Sequence, residues 1–254
     1  MRVNYRSNNT PVFSVLSEDQ IEAIYYAALH VMRNVGARIH EERAIRLYEQ
    51  AGAIVEDGNL VKIPAPMVKI ALTTTPDTIT LAGRDRAKSI TLERNQAYFG
   101  TGSDCPFVVD PYTDERRPFT QKDIYDAARV AEALPNLDFF MSLGLTSDVP
   151  VATYDRHQLL AMLRGTTKPL VITAVDEEGL LDQYRMASVA LGSEKEFKRA
   201  PLFAIYIEPS SPLISNREAT SKVIAAAEND IPAIYTPCPM CGATAPVTLS
   251  GALV

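Results

Sequence analysis

The chain has 254 residues, of which 46% are apolar and 22% charged, with a formal net charge of -6 at pH 7. This composition is typical of a globular protein with a sizeable core and excludes a disordered or collagen-like chain. The sequence shows no basic cluster for nucleic acid, no signal segment and no apolar run of about 18 residues, so we expect a cytoplasmic protein without nucleic-acid or membrane partners.

Residues 1–95 predict an N-terminal cap of helices and a hairpin. Ser17 and Gln20 form a capping-box pattern, and the apolar residues that follow have helical spacing up to Gly36, which predicts a first helix. Beyond it, the sequence predicts a second helix from about Glu41 to Gly52, a short proline-initiated helix in IPAPMVKIALTTTP, and a β-hairpin over 78–94.

Residues 96–254 predict alternating strands and helices. The strand-like runs are QAYFGTG, LDFFMSLGL, PLVITAV, PLFAIYI and PAIYTP. Helical stretches lie between them, two of which follow the capping signals Thr120-x-x-Asp123 and Ser215-x-x-Glu218. The segment FVVDPYTDERRPF reads as an inserted loop or hairpin. Because strands joined by single helices must run parallel, the pattern predicts an α/β fold with a parallel sheet.

The spacing of the last four strand-like runs favours a (β/α)₈ TIM barrel. Each strand-to-strand step is about 31 or 32 residues, and eight such units total roughly 250 residues. A doubly wound sheet is the rival, but GTGSDC does not complete its G-x-G-x-x-G turn. Only about five βα units are present, so we expect the barrel to be incomplete at the C-terminus. The alternative is a five-stranded sheet stabilised by a partner.

Several segments resemble, in order and across nearly the whole chain, the trimethylamine methyltransferase (MttB) superfamily. They are LSEDQIEAIYYAALHVMRNVGARIH, DGNLVKIPAPMV, TITLAGRDR, YFGTGSDCPFVVDPYTDERRPFTQKDIYDAARVAEALPNLDFF and PMCGATAPVTLSGALV. The resemblance implies a (β/α)₈ barrel that transfers a methyl group from trimethylamine or a betaine to the cobalt of a separate corrinoid protein, as in methanogenesis. It implies no directly bound cofactor, and we expect a homo-oligomer.

Methyl transfer from a quaternary amine needs a pocket for a cation. It needs no general acid, because a neutral tertiary amine is the leaving group. Aromatic faces and carboxylates hold a quaternary ammonium, and in a barrel they lie at the carboxyl ends of the strands. The predicted substrate-binding residues are therefore Asp104 and Glu208 as anions, Tyr206 and Tyr235 as aromatic candidates, and Thr101, Gly102 and Met240 beside them. In the alternative interpretation, Asp104 caps a turn, Glu208 is a solvated loop acid and the tyrosines pack in the core.

The three cysteines suggest a competing hypothesis. Cys238 and Cys241 follow the fifth strand-like run and Cys105 follows the first, so their thiolates are candidates for a Zn²⁺ site in a zinc-dependent corrinoid methyltransferase. One C-x-x-C pair is weak evidence, and small packed side chains are the alternative. A truncated protein that binds quaternary amines without catalysis is the other function that the sequence leaves open.

Overall fold

The computed structural model describes Pro11 and residues 13–254. Its helices are α1 (Glu18–Asn34), α2 (Glu42–Gln50), α3 (Ala65–Thr74), α4 (Gln121–Ala133), α5 (Tyr154–Gly165), α6 (Glu177–Leu191), α7 (Glu194–Arg199), α8 (Arg217–Glu228) and α9 (Leu249–Leu253). Its strands are β1 (Ala37–Ile39), β2 (Ile54–Glu56), β3 (Leu60–Lys62), β4 (Thr78–Leu81), β5 (Ile90–Glu93), β6 (Phe107–Val109), β7 (Arg116–Pro118), β8 (Leu170–Ile172), β9 (Phe203–Ile207), β10 (Ile214–Ser215) and β11 (Ala233–Tyr235).

The protein is a mixed α/β chain with several small sheets, and it divides into two compact units. Among the described residues, unit 1 comprises Pro11, 77–206 and 225–234, and unit 2 comprises 13–76, 207–224 and 235–254. No helix in these described residues is long and apolar enough to cross a membrane. No closed barrel is formed by the described strands.

Two of the three predicted capping signals are confirmed. Ser17 forms a complete capping box with Gln20 at the start of α1, and Thr120 forms one with Asp123 at the start of α4. The start of α8 differs from the predicted Ser215 box, because the side chain of Asn216 accepts the hydrogen bond from the Ala219 N–H at 2.7 Å.

Unit 2 is built on a small sheet in the order β10, β1, β3, β2. Strand β1 pairs with β10 in parallel and with β3 in antiparallel orientation. Ile39 of β1, Val61 of β3 and Ala44 of α2 form a buried core on this sheet. The partly buried side chains of Ile63 and Ile224 pack against that core. The predicted helices α2 and α3 are both present in this unit.

The predicted hairpin at 78–94 forms from β4 and β5, but it belongs to unit 1. Leu81 and Ile90 of this hairpin are buried together with Ala204 of β9, and Tyr98 and Phe139 pack against them. The hairpin is therefore grouped with unit 1, because its apolar side is buried there.

Unit 1 contains neighbouring parallel segments that follow the chain order. Gly100 pairs with Phe139 and Phe140 with Leu170 as parallel bridges, and β8 pairs with β9 in parallel. Strand β11 is the next neighbour of β9 in the same sheet as β8. The sequence-predicted parallel order is thus present, and the inserted segment at 107–118 is the antiparallel hairpin β6–β7.

The first two predicted strands are isolated bridges and not regular strands. Asp104 and Leu143, which face each other in the register, have left-handed φ angles of 69° and 64°. A left-handed residue turns the chain out of the extended conformation and interrupts a ladder. The hydroxyl of Thr101 also bonds to both the carbonyl oxygen and the N–H of Met141, in place of a backbone ladder.

The two faces of β9 have different surroundings within unit 1. The ring centroids of Phe203 and Phe197 of α7 are 5.0 Å apart, and those of Phe197 and Tyr184 of α6 are also 5.0 Å apart. Helices therefore cover this face. Ala204 projects to the opposite face and packs on the β4–β5 hairpin. That opposite face, followed toward the carboxyl end of β9, carries Tyr206.

Candidate functional site

The parallel register aligns four residues in one row at the carboxyl ends of neighbouring segments of unit 1. The bridges between Cys105 and Gly144 and between Phe140 and Leu170, together with the pairing of β8 with β9, fix this register. Paired positions in extended parallel strands project to the same face of a sheet, but Asp104 and Leu143 have left-handed φ angles and share this row by register alone. The row, which we call the unit 1 rim, consists of Asp104, Leu143, Thr173 and Tyr206.

Asp104 is the exposed anion of the unit 1 rim. Its left-handed backbone is a conformation that aspartate tolerates better than most residues, and its carboxylate accepts a 2.6 Å hydrogen bond from the Ser103 hydroxyl. Burial raises the pKa of Tyr154, and the nearby carboxylates of Asp104 and Asp155 raise it further. The Asp104 carboxylate is therefore near enough to the Tyr154 phenol to interact with it electrostatically.

Thr101 and Gly102 shape the wall beside Asp104. The Thr101 hydroxyl donates to the Met141 carbonyl oxygen at 2.6 Å and accepts from the Met141 N–H at 2.8 Å, so it is fixed by the main chain. The carbonyl oxygen of Gly102 accepts a hydrogen bond from the Leu143 N–H at 2.9 Å. Gly102 has no left-handed φ, and a Cβ there would meet open space. A close approach occurs instead at Gly100, where a Cβ would lie 2.3 Å from the Phe139 ring.

Two buried polar side chains hold the main chain after β8. Asp155 of α5 is fully buried, and its Oδ2 accepts a 3.0 Å hydrogen bond from the Val175 N–H. Gln183 of α6 donates through Nε2 to the Thr173 carbonyl oxygen at 3.0 Å. A Cβ at Gly179 would lie 2.4 Å from Asp155 Oδ2, so glycine is required for α6 to approach α5 this closely. The two helices together fix Thr173 in the rim.

The loop after the first parallel segment is fixed by Arg117. Its guanidinium donates to Asp110 at 2.9 Å and to Asp123 at 2.7 Å, which ties hairpin β6–β7 to the first turn of α4. The Arg117 hydrogen bonds hold the pKa of Asp123 far below its usual range, and the Thr120 hydroxyl lowers it further against the effect of burial. This pair stays ionised at any physiological pH.

Tyr235 and its partners lie in unit 2. The Tyr235 hydroxyl lies 2.7 Å from the Ser215 hydroxyl, and burial raises the pKa of Tyr48 with a further contribution from Tyr235. Tyr235 is 44% exposed. Its role as an aromatic candidate for substrate binding stays a prediction.

Glu208 and Met240 are the remaining predicted site residues in unit 2, and both are exposed. Glu208 follows β9 directly, at the carboxyl end of the strand as predicted. The Met240 carbonyl oxygen accepts hydrogen bonds from the N–H groups of Thr244 and Ala245, at 3.1 and 2.9 Å, so its backbone organises a tight turn. Neither residue has contacts that assign it to a substrate.

Three cysteines of the described residues are the candidates of the zinc hypothesis. Cys105 lies in unit 1 and Cys238 and Cys241 lie in unit 2, and all three are exposed and form no disulfide. Among the residues that the structure describes, no group of three or more His, Cys, Asp or Glu side chains is placed to hold a metal ion.

The described part of unit 1 alternates parallel segments with helices, and Asp104 and Tyr206 lie near the carboxyl ends of two of these segments. The family model described as trimethylamine methyltransferase (MTTB) matches residues 1–254. The chain belongs to the trimethylamine methyltransferase (MTTB) family. The family match does not depend on a single motif, because it extends over residues 1–254.

Three relatives of this MTTB-family chain are methyltransferases by name. Trimethylamine methyltransferase MttB of Desulfitobacterium hafniense is 28% identical over 239 residues, and that of Methanosarcina barkeri is 29% identical over 260 residues. They cover 94% and 98% of this chain, but 48% and 52% of their own lengths are matched. A glycine betaine methyltransferase of Desulfitobacterium hafniense is 23% identical, over 96% of this chain and 50% of its own length. The chain thus spans about half the length of these relatives.

Sequence reasoning about this MTTB-family chain did not identify Tyr154, Asp155 and Thr173. A weak signal was present for the first two, because the Tyr-Asp pair stands at the first turn of the helix that follows the second parallel segment. Residues in that position border the carboxyl ends of the strands. Thr173 looked like an ordinary strand residue, and only its unpaired hydroxyl distinguishes it.

Proposed function

We propose that this chain is the amine-binding part of a methyltransferase that moves a methyl group from a methylated or quaternary amine to the cobalt of a corrinoid carried by a separate protein. The observation that carries the proposal is the family match over the whole chain, combined with the rim of Asp104, Thr173 and Tyr206. The names of the relatives support the class of substrate.

The proposed fold is the first part of a (β/α)₈ barrel. Its support is the order of the parallel segments, which follow the chain one after another from Gly100 to β11. The helix-covered outer face of β9 and the hairpin under its inner face also agree with barrel construction. On this proposal the unit 1 rim is the mouth at which substrates enter.

The rim residues suit a displacement reaction at a methyl carbon. Asp104 attracts the positive charge of the donor, and the rings of Tyr154 and Tyr206 offer faces that a methylated ammonium prefers. When the bond between nitrogen and methyl breaks, the electron pair stays on nitrogen, and a neutral tertiary amine leaves from a quaternary donor without a proton. The protein therefore contributes orientation and desolvation, and the incoming nucleophile is the reduced corrinoid of the partner.

Methyl transfer is tested with the full-length protein, its reduced corrinoid protein, and a panel of trimethylamine, tetramethylammonium and glycine betaine. Formation of methyl-cobalt is followed by the visible spectrum of the corrinoid. The expected result is demethylation of at least one donor. If none of the three methylates the corrinoid, the proposed function is wrong.

The role of Asp104 is tested by Asp104→Asn, which keeps the size of the side chain and removes its charge. We expect kcat/KM for the preferred donor to fall about tenfold to a hundredfold, because one unit charge near the ammonium is lost. Asp148→Asn is the matched control, since Asp148 is also exposed after the second segment and its carboxylate accepts a 2.9 Å hydrogen bond from the Gln121 N–H. Equal losses in the two variants would contradict a specific role for Asp104.

A further inference from the structure

An open apolar groove lies between helices α5 and α6 of unit 1. Its volume is about 530 Å³, and the apolar side chains that line it include Leu160, Leu163, Met186 and Val189. Leu163 is buried at the bottom of the groove, whereas Leu160 and Val189 are exposed. A contiguous set of exposed apolar side chains is typical of a surface on which another chain docks.

Three arginines border this groove, and they give it a positive charge. They are Arg84, Arg164 and Arg185. Arg84 donates to two main-chain carbonyl oxygens at the end of α5, and Arg164 lies over an aromatic ring, so neither forms an ion pair within the part of the chain that the structure describes. Arg185 pairs with Asp182 at 3.0 Å, which neutralises part of its charge. The groove therefore favours an occupant that combines apolar side chains with negative charge.

The segment 13–22 at the start of α1, which we call the acidic segment, has this combination. Its acids are Glu18, Asp19 and Glu22, and it contains no lysine or arginine. Its exposed apolar side chains are Phe13, Val15, Leu16 and Ile21. Three acids and four exposed apolar side chains within ten residues form a surface that is complementary to the groove in charge and in hydropathy.

The exposure of Ile21 shows where α1 stops packing on its own unit. Ile24, Tyr25 and Ala28 follow Ile21 at i+3, i+4 and i+7, so the four side chains share one face of the helix. The last three are partly buried, whereas Ile21 is 52% exposed. The apolar face of α1 thus continues into a first turn that the described residues leave uncovered.

We infer that the acidic segment of one copy of this chain docks into the arginine-bordered groove between α5 and α6 of a second copy. The apolar side chains of the segment then cover the apolar floor of the groove, and its carboxylates lie beside the guanidinium groups. Two such contacts, made reciprocally, close a dimer without a third surface. The inference concerns assembly and is independent of the amine site.

The apolar part of the contact is tested by the self-association of the full-length protein, measured by analytical ultracentrifugation over a range of concentrations. Val189→Asp places a carboxylate in the groove, and we expect the dissociation constant of the dimer to rise more than tenfold, because apolar side chains would then dock against a charge. Val151→Asp is the matched control. Val151 is 83% exposed and Val189 is 82% exposed, but only Val189 lines the groove, so we expect no change in the control.

The identity of the occupant is tested by reversing one charge on each surface. Glu22→Arg and Arg164→Glu should each raise the dissociation constant at least about tenfold, because each change puts like charges together in both contacts of the dimer. An equimolar mixture of the two variants should associate as the wild-type protein does. In the mixed dimer one contact keeps both original charges and the other contact has both charges reversed.

Three results would overturn the inference. They are a wild-type protein that stays monomeric, equal effects of Val189→Asp and Val151→Asp, and a mixture of the charge variants that stays dissociated. The last result would assign the groove to a different acidic occupant, such as a partner protein. Circular dichroism checks that each variant folds, and if Val189→Asp does not fold, the mixture of the two charge variants decides.

Discussion

Lys168 is expected to be the most sensitive single position for the stability of unit 1. The side chain is only 6% exposed, and its ammonium donates to three carbonyl oxygens, those of Ala131 at 2.5 Å and of Leu134 and Leu137 at 2.7 Å. The three carbonyls lie in and just after the last turn of α4, where the negative end of the helix dipole favours a cation. Lys168 itself stands two residues before β8, so the contact joins the start of a parallel strand to the end of a helix.

Lys168→Met keeps most of the apolar stem and removes the charged donor. Each hydrogen bond from a charged group contributes about 1.5 kcal/mol at the low end of the usual range, which gives about 4.5 kcal/mol for three. Removal of the ammonium also relieves part of its desolvation cost, which offsets some of that loss. We therefore expect a decrease of about 3 kcal/mol in the free energy of unfolding, or about 6 to 12 °C in Tm for a protein of this size.

The effect is measured by urea unfolding and by differential scanning calorimetry. Lys122→Met is the matched control, because the Lys122 side chain is 79% exposed and its ammonium pairs only with Asp126 one helical turn away. We expect no measurable change in Tm for the control. A decrease of less than about 1 kcal/mol for Lys168→Met would refute the argument that the three carbonyls depend on this ammonium.

Three further predictions concern acids and a glycine of unit 1. Burial raises the pKa of Glu132, but hydrogen bonds from neighbouring donors outweigh burial and lower this pKa from 4.5 to about 2. The stability that this carboxylate contributes is therefore present above pH 4.5 and is lost as the pH falls toward 2. In Glu132→Gln, urea unfolding between these pH values should lose part of its pH dependence, and an unchanged profile would argue against this. Gly179→Ala gains about 1 kcal/mol of helix propensity but overlaps Asp155 Oδ2, so we expect a net loss of about 1 to 2 kcal/mol in chemical unfolding, and a gain would show that the helices adjust. Asp104→Asn should lower the pKa of Tyr154, though burial still keeps it above its usual value, and ultraviolet titration of the tyrosines would reveal a failure of this contact.

Much of the local structure could be predicted from the sequence, because its causes lie within a few residues. The capping boxes at Ser17 and Thr120 are closed by side chains three positions away, and both helices begin where these patterns place them. The hairpins at 78–93 and 107–118 follow from alternating residues around polar turns. Asp176 likewise caps α6 locally, since its side chain accepts from the Gly179 N–H three residues away.

Predictions failed where a distant residue decides the local outcome. Ser215 was expected to cap α8, but it lies in β10 and its hydroxyl meets Tyr235, so Asn216 takes over as the cap. The segments around Gly100 and Phe139 were expected to be strands, but left-handed residues and the Thr101 hydroxyl reduce them to bridges. No pattern within one segment contains this information.

The same distinction between local and distant causes applies to the candidate site. The sequence alone placed Asp104 after one strand-like run and Tyr206 near the carboxyl end of another, because alternating periodicity and strand order are properties of the chain itself. The pairing register, the burial of Asp155 and the missing partner of the Thr173 hydroxyl were decided only by tertiary structure. The reason is physical: apolar spacing and caps act between residues a few positions apart, whereas a buried polar group is satisfied, or left unsatisfied, by whatever the folded chain brings next to it.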